Sequence, residues 1–220
     1  MILVGDSLGM VFQGRTDTRS VTMRDMIYHT QAVARGAKRT PVVADMPFKS
    51  DSTPFIALRN ARRLVEAGAE GVKIEGRKTD VIEALIAGGI PVMAHIGLLP
   101  QTAEAYRVMG KTPEDAQKIL QDALHLDELG VFSMVLESMP EGLAKEITGA
   151  VRAPTIGVGA GRYCDGQVLV INDLLGLDPT FTPKYLKRYA NLYQVISDAV
   201  GAFKRDVRGG EYPDQEHTYH

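Results

Sequence analysis

Cysteine and tryptophan are nearly missing from this chain of 220 residues, which has one cysteine, Cys164, and no tryptophan. A single cysteine excludes an internal disulfide and agrees with a reducing compartment. No apolar run reaches the roughly 20 residues that a membrane helix needs, and the apolar start of the chain meets Asp6 too soon for a signal peptide. We therefore expect a cytoplasmic protein with no membrane partner.

An excess of positive charge is also lacking. The chain has 25 Lys and Arg against 27 Asp and Glu, a formal net charge of −2, and the basic residues are spread along it. This pattern argues against a nucleic-acid partner. The hydrophobic share of 45% and the charged share of 24% are ordinary for a globular protein. We expect a single barrel domain over residues 1–220, with a C-terminal helix at 183–207 and a tail at 208–220.

Short apolar runs alternate with helical patterns from one end of the chain to the other. The runs are brief, several are β-branched, and most follow Gly or Pro, as is typical of strands buried on both faces. The seven predicted strands lie at residues 2–4, 41–44, 71–74, 91–94, 132–136, 154–158 and 168–171.

Helix start signals stand between these runs. Thr22 with Asp25 and Thr112 with Asp115 have the spacing of capping boxes, and Pro54 is suited to a first helical turn. Strands separated by helices predict a parallel sheet, because parallel neighbours need long crossovers. Two architectures remain open at this point, an open doubly wound sheet and a closed eight-stranded barrel.

The first five predicted strands each end at an ionisable residue. An open sheet gathers its ligand groups at one crevice, whereas a barrel brings every strand end to one mouth. Five in succession favour the barrel. We therefore predict an α/β fold of the (βα)8 TIM type, with the first βα unit absent from this chain. The residues are Asp6 (beside Ser7), Asp45, Glu75, His95 and Glu137.

Four carboxylates at one mouth would repel each other unless a cation or protons compensate. Oxygen ligands with no cysteine favour magnesium over zinc. With two or three protein ligands, open positions remain for the carboxylate and keto oxygens of a small 2-oxo acid. The metal would stabilise an enolate, and a carboxylate free of the metal would serve as base.

Lys73 lies two residues before Glu75, so both side chains are expected on the same face of their strand. The lysine would either hold a substrate carboxylate or neutralise the acids around it. The sequence leaves both roles open.

Eight motifs in order resemble the ketopantoate hydroxymethyltransferase family. Together they extend over nearly the whole chain, which makes the resemblance specific although each motif alone is weak. The motifs are VGDSLGM (4–10), VTMRDMIYHT (21–30), ADMPF (44–48), GVKIEG (71–76), HIGLLPQ (95–101), VLESMP (135–140), GVGAGRYCDGQ (157–167) and EYPDQEHTYH (211–220).

The resemblance implies an eightfold barrel related to phosphoenolpyruvate mutase and isocitrate lyase. It implies conversion of 3-methyl-2-oxobutanoate to 2-dehydropantoate, the first committed step towards pantothenate, with 5,10-methylenetetrahydrofolate as one-carbon donor. It also implies a homo-oligomer, since the family forms decamers. Two departures are visible: the strand and helix that normally precede GDS are absent, and the loop TAEAYRVM (102–109) is short, so we expect an altered folate side.

Residue roles follow from the same resemblance. Asp6 and Asp45 would hold Mg²⁺, with Glu75 beside it through water. Glu137 would be the general base that removes the C3 proton. The oxo acid would be contacted by Asp6, Ser7, Asp45, Lys73 and His95.

A rival interpretation comes from hydrolases. Residues 2–8 resemble the nucleophile block of GDSL esterases, with Ser7 as nucleophile, His217 as base and Asp214 orienting the histidine. The oxyanion-hole blocks of those enzymes are not found, and the strand-end acids would have no role. Another lyase or mutase of the same superfamily, or a barrel without catalysis, are further alternatives.

Overall fold

The computed structural model describes residues 1–219, and the chain divides into two compact units, Met1–Val168 and a second one from Leu169 onward. The single domain expected over residues 1–220 stays a prediction. The division into units follows from where the core lies. Within the described residues, the buried apolar side chains run from Val4 to Ala160, so the second unit adds none to that core.

The first unit is a parallel sheet in which the strands lie side by side in chain order. The α/β class with a parallel sheet is therefore confirmed. Among the described residues, β1 and β7 are edges that do not pair with each other, so the sheet is a partial barrel rather than a closed one of eight strands. The strands are β1 (Ile2–Val4), β2 (Val42–Asp45), β3 (Gly71–Glu75), β4 (Val92–Gly97), β5 (Ser133–Glu137), β6 (Thr155–Val158) and β7 (Gly166–Gln167).

The seventh strand was predicted wrongly at residues 168–171. The Asp165 side chain accepts hydrogen bonds from the backbone N–H and the hydroxyl of Thr155, which starts the pairing with β6 earlier in the chain. Ile171, the last residue of the predicted strand, instead begins a short helix.

The helices follow the strands as the capping signals predict. Thr22 and Asp25 form a reciprocal capping box. Thr112 accepts from the Asp115 N–H, but the Asp115 carboxylate accepts from Gly110, so this second box is only half formed. The helices are α1 (Leu8–Val11), α2 (Met23–Gly36), α3 (Pro54–Glu66), α4 (Thr79–Ala87), α5 (Pro113–Glu128), α6 (Glu141–Ala150), α7 (Ile171–Leu174) and α8 (Leu192–Gly209).

Side chains alternate between two apolar environments along each strand. One face of the sheet packs in the large core with the helices, as Val72 and Ile74 of β3 do. The other face makes a smaller, separate cluster centred on Val43, Met93 and Val135. This inner cluster joins side chains from β1 to β6, so the sheet must curl around it. Polar residues that continue the inner face towards the carboxyl ends of the strands therefore meet above an apolar floor.

The last helix of the second unit is α8, which begins at Leu192 rather than at residue 183 as predicted. Arg188 donates to three backbone carbonyls, those of Asp178, Pro179 and Phe181, and this closes the preceding residues into a loop. Asn191 then caps the helix through its side-chain oxygen. In residues 1–219, no helix is both long and apolar enough to span a bilayer.

Candidate active site

The carboxyl ends of β1 to β5 bring the predicted residues together within the first unit. The backbone N–H of Asp6 donates to Asp45 Oδ2 at 2.9 Å. Asp45 Oδ1 lies 3.1 Å from Lys73 Nζ as an ion pair, and both side chains are almost completely buried. Asp45 and Lys73 are partners in the β2–β3 register, so the pairing of the strands itself places this carboxylate beside this ammonium.

His95 continues the series of contacts towards Glu137. Lys73 Nζ lies 3.3 Å from His95 Nδ1, and His95 Nε2 lies 3.1 Å from Glu137 Oε2. Since an ammonium group can only donate, Nδ1 is assigned as the acceptor, and in a neutral ring Nε2 then carries the proton that faces Glu137. Glu137 is more open than its neighbours, with 17% of its side chain exposed, so a substrate can reach it.

Glu75 occupies the end of β3 opposite His95 in the register. Its Oε2 accepts from the backbone N–H of Gln101 at 3.1 Å, and its Oε1 is 3.8 Å from His95 Nδ1. The Glu75 carboxylate thus lies behind the Lys73–His95 pair and is held by the loop that follows β4.

Ser7 lies beside the same acids. It stands at the N-cap position of α1, but its side chain makes no capping hydrogen bond. A Cβ atom placed on Gly5 would be 3.1 Å from Ser7 Oγ and 3.6 Å from Asp45 Oδ2. The missing side chain at Gly5 therefore leaves the hydroxyl and the carboxylate room at one side of the mouth.

Buried negative charge dominates the electrostatics. Burial, and next the charge of Asp45, raise the pKa of Asp6 to about 8. Burial also raises the pKa of Glu75, against the opposing effect of Lys73. Burial alone would lower the pKa of Lys73, but Asp45, Glu75 and Asp6 outweigh it and raise that pKa. Three carboxylates thus share one lysine, an arrangement that a further cation would stabilise.

Magnesium fits this donor set with two protein carboxylates rather than three. Within residues 1–219, no three His, Cys, Asp or Glu side chains converge closely enough to form a metal site by themselves. The Asp6 backbone N–H donates to Asp45 Oδ2, and the charges of the two side chains interact. Asp45 Oδ1, although beside Lys73, accepts no aligned hydrogen bond from the described residues. Mg²⁺ commonly takes one or two carboxylates and completes its shell with water and substrate oxygens.

Two residues of the loop after β4 were given no role by the sequence patterns. Gln101 is buried and donates to Asp6 Oδ2 and to the Met46 carbonyl. Tyr106 donates to Met10 Sδ at 3.9 Å, and its pKa is raised by burial and then by the charges of Glu137, Asp6 and Glu75. The position of Gln101 at the end of the motif HIGLLPQ could have marked the residue, although not its partners. Tyr106 had no such signal.

A cavity of about 410 Å³ opens beside the end of β5, where Glu137 lies, under the loop that follows β4. Gly97, one of its lining residues, pairs with Glu137 in the β4–β5 register, and the Leu98 N–H donates to the Glu137 carbonyl. The lining is part apolar, from Leu98, Leu99 and Met109, and part charged, from Glu104 and Arg107.

The residues of the hydrolase hypothesis fall in different units. Asp214 Oδ1 lies 2.6 Å from His217 Nδ1, and both side chains are more than half exposed. They belong to the second unit, whereas Ser7 belongs to the first. The contact between Asp214 and His217 is local, three residues apart in the chain, and the His217 backbone N–H donates to the same carboxylate. A local turn is enough to explain the pair.

Solved structures with low sequence identity share the fold. A 2,3-dimethylmalate lyase, described as a member of the PEP mutase/isocitrate lyase superfamily, superposes with a TM-score of 0.59 at 14% identity over 99% of this chain and 87% of that one. An oxaloacetate acetylhydrolase gives a TM-score of 0.54 at 13% identity over 70% and 57% of the two chains. Both likenesses concern the architecture alone.

Sequence relatives are much closer. Proteins named 3-methyl-2-oxobutanoate hydroxymethyltransferase from Caldicellulosiruptor saccharolyticus and Geobacter sulfurreducens are each 51% identical over all of this chain and 85% of their own length. One from Pyrobaculum neutrophilum is 51% identical over 98% of this chain and 85% of its own. A model of the family described as ketopantoate hydroxymethyltransferase matches residues 1–215. The chain therefore belongs to the ketopantoate hydroxymethyltransferase family.

Proposed function

We propose that this protein transfers a hydroxymethyl group from 5,10-methylenetetrahydrofolate to 3-methyl-2-oxobutanoate, which gives 2-dehydropantoate for pantothenate biosynthesis. The observation that carries the proposal is the unbroken series of contacts from Asp6 through Asp45, Lys73 and His95 to Glu137. These contacts connect Asp6 and Asp45, which could hold a cation, to the proposed base Glu137 at the far side of the same mouth.

Asp6 and Asp45 would hold Mg²⁺, with Glu75 behind them at the level of bound water. When bound, the ion supplies a Lewis acid for the negative charge that develops on the keto oxygen of the substrate. The raised pKa of Asp6 supports this, because a buried carboxylate that resists ionisation gains most from a nearby cation.

Lys73 and Ser7 would bind the carboxylate of the oxo acid. The ammonium group has three N–H donors, of which one is directed at His95 Nδ1, and the ion pair with Asp45 Oδ1 engages at most one more. The third is available to the substrate. The Ser7 hydroxyl makes no capping hydrogen bond and lies close to Asp45, so it can donate to the same carboxylate.

Glu137 would remove the proton from C3 of the oxo acid. The proton passes to the Glu137 carboxylate. Water adds to the folate methylene carbon as its two C–N bonds break, which releases formaldehyde and leaves tetrahydrofolate with two N–H groups. The electron pair on C3 then forms a bond to the formaldehyde carbon, whose oxygen takes up a proton and becomes the hydroxyl group. His95, with its Nε2 proton towards Glu137, would orient the carboxylate for this step. The contact lacks the alignment of a hydrogen bond in the described residues, and bonds of this kind often tighten only with substrate present.

The folate would occupy the cavity under residues 99–110. Its volume of about 410 Å³ and the apolar part of its lining, from Leu98, Leu99 and Met109, suit a flat heterocycle. Arg107 is the cation placed to meet a carboxylate of the folate tail. Since Gly97 lines this cavity and pairs with Glu137, the one-carbon group would lie on the same side as the base.

We also propose that the barrel is completed as eight strands and that the protein is a homo-oligomer. β1 and β7 are the unpaired edges of the sheet, and an eighth strand that pairs with both would close the barrel. α8 exposes a row of apolar side chains, among them Ile196, Val200 and Phe203, which suits a subunit contact. Light scattering after gel filtration measures the subunit number.

The deciding experiment follows the C3 proton of 3-methyl-2-oxobutanoate by NMR in deuterated buffer. Exchange should require Mg²⁺ and should be lost in Asp45→Asn and in Glu137→Gln, while Glu128→Gln, an exposed glutamate at the end of α5, should exchange normally. Exchange in either site variant at the normal rate would overturn the role of that residue. Labelling of Ser7 by a fluorophosphonate, with metal-independent ester hydrolysis, would point to the hydrolase instead.

A further inference from the structure

Gln101 makes hydrogen bonds to residues at the carboxyl ends of three strands, β1, β2 and β3. Its side-chain Nε2 donates to Asp6 Oδ2 at 2.8 Å, beyond β1, and to the Met46 carbonyl at 2.9 Å, beyond β2. Its backbone N–H donates to Glu75 Oε2 at 3.1 Å, at the end of β3. The residue itself is 3% exposed and follows β4, so the positions of two carboxylates depend on this one loop residue.

From these contacts we infer that Gln101 is a positioning residue that presents the Asp6 carboxylate to the divalent cation. This inference rests on the proposed function, because it assumes that Asp6 binds the metal. Both N–H groups of the amide are used, one by Asp6 and one by the Met46 carbonyl, and this fixes the orientation of the amide. With Oδ2 occupied by Gln101, Asp6 Oδ1 is the oxygen left to face a cation.

A neutral amide suits this position better than a charged partner would. Lysine or arginine at residue 101 would neutralise Asp6 and compete with the metal, whereas glutamine holds the carboxyl group and adds no positive charge of its own. The acceptor at Met46 is a backbone carbonyl directly after β2. The position of the amide is therefore set by the sheet and not by another side chain. Groups that orient metal ligands in this way commonly change metal affinity about 10–100-fold when they are removed.

The test is a titration of the purified, metal-free protein with Mn²⁺ as a probe for Mg²⁺, with free Mn²⁺ counted by electron paramagnetic resonance. Gln101→Met keeps the length of the side chain and the backbone N–H but removes both amide donors. We expect Mn²⁺ binding to weaken at least about tenfold. The rate of C3 proton exchange should fall at ordinary Mg²⁺ and should recover as Mg²⁺ is raised, with little change in KM for the oxo acid.

The matched control is Gln194→Met in α8. Gln194 Nε2 also donates to an aspartate, Asp198, at 2.9 Å, but on an exposed helix surface. Mn²⁺ affinity and exchange should be unchanged in this variant. Circular dichroism shows whether each variant is folded.

Gln101→Asn provides a second variant in case the Met variant does not fold. Its amide is one methylene shorter and cannot reach both Asp6 and the Met46 carbonyl from the same backbone position, so it should also lose Mn²⁺ affinity. A folded variant of either kind that binds Mn²⁺ as tightly as the natural protein overturns the role of Gln101 alone. If the natural protein binds no Mn²⁺, the metal site and the role of Gln101 are overturned together, and the two failures are therefore distinct.

Discussion

His95 Nε2 lies 3.1 Å from Glu137 Oε2, and the other ring nitrogen of His95 faces Lys73. The imidazole is thus held between a cation and the proposed base. Hydrogen bonds to charged groups are worth about 1.5–3 kcal/mol. We expect His95→Phe to lower kcat for C3 proton exchange by roughly 10–100-fold, which is the same energy expressed as a rate.

His125→Phe is the control for this prediction, because His125 Nε2 pairs with the Thr79 hydroxyl at 2.9 Å outside the mouth. It should leave kcat within about twofold of the natural protein, a change worth less than about 0.5 kcal/mol. An unchanged kcat in folded His95→Phe would remove the imidazole from the mechanism.

The raised pKa of Asp6 predicts how the stability of the metal-free protein depends on pH. Its folded value of about 8 lies above its ordinary value of 3.8, so the folded state binds the proton more tightly than the unfolded state does. The free energy of unfolding should fall as pH rises from about 4 to about 8, by on the order of several kcal/mol, since each pKa unit is worth about 1.4 kcal/mol. Glu75 acts in the same direction.

Urea unfolding in EDTA, followed by circular dichroism at pH 5 and pH 8, measures this dependence. Mg²⁺ should reduce the difference between the two pH values, because the cation replaces the proton. Asp6→Asn should reduce it without metal. An equal slope in the natural protein and in Asp6→Asn would show that Asp6 is not the titrating group.

Removal of Lys73 tests the buried ion pair. Lys73→Met leaves Asp45 and Glu75 buried without their shared cation, and breaking a buried pair from one side costs about 3–5 kcal/mol. KM for the oxo acid should also rise, because the substrate carboxylate loses its partner. Arg77→Met, which breaks an ion pair with Asp122 at 3.3 Å on the surface, should cost about 0–1 kcal/mol. Equal costs for the two variants in urea unfolding would contradict the assigned burial of the charge.

Gly97 provides a test of the close approach between the end of β4 and Glu137 at the end of β5. It has φ +93°, and a Cβ atom here would stand 2.2 Å from the Glu137 carbonyl oxygen. Gly97→Ala should therefore lose both stability and kcat. Gly130 has a similar φ of +86° with no atom within 4 Å of its Cβ position, so Gly130→Ala should show only backbone strain of about 1–2 kcal/mol and normal kcat. The comparison separates crowding of Glu137 from strain.

The sequence predicted six strands well, and it predicted the polar ends of the first five, because each of those five is a short apolar run followed by an ionisable residue. Val42–Asp45 and Gly71–Glu75 carry both signals within a few residues. β7 was misplaced because Asp165, outside the apolar run, fixes its pairing with Thr155. The start of α8 was misplaced because the hydrogen bonds from Arg188 to carbonyls of residues 178–181 hold the first part of the predicted helix, from residue 183, in a loop.

Gln101 shows why part of the site could not be predicted. The amide follows β4, yet its partners are Asp6, Met46 and Glu75, which lie between 26 and 95 residues away in the chain. No periodicity or local spacing encodes contacts of that range. They depend on how the loop of residues 98–103 folds back over the mouth, and this follows from tertiary packing alone.

Side chains along β3 alternate between the two faces of the sheet. The position of its charged residues therefore depends on the packing of apolar residues that contact no substrate. Val72 and Ile74 fill the helix-facing layer, and Lys73 and Glu75 fall between them on the opposite side. A shift of one position in the pairing of this strand would drive both charges into hydrocarbon and present two aliphatic groups to the solvent-filled opening. The packing of Val72 and Ile74 against the helices thus fixes the register that places Lys73 and Glu75 at the mouth. Natural selection for catalysis therefore also acts on residues that contact no ligand.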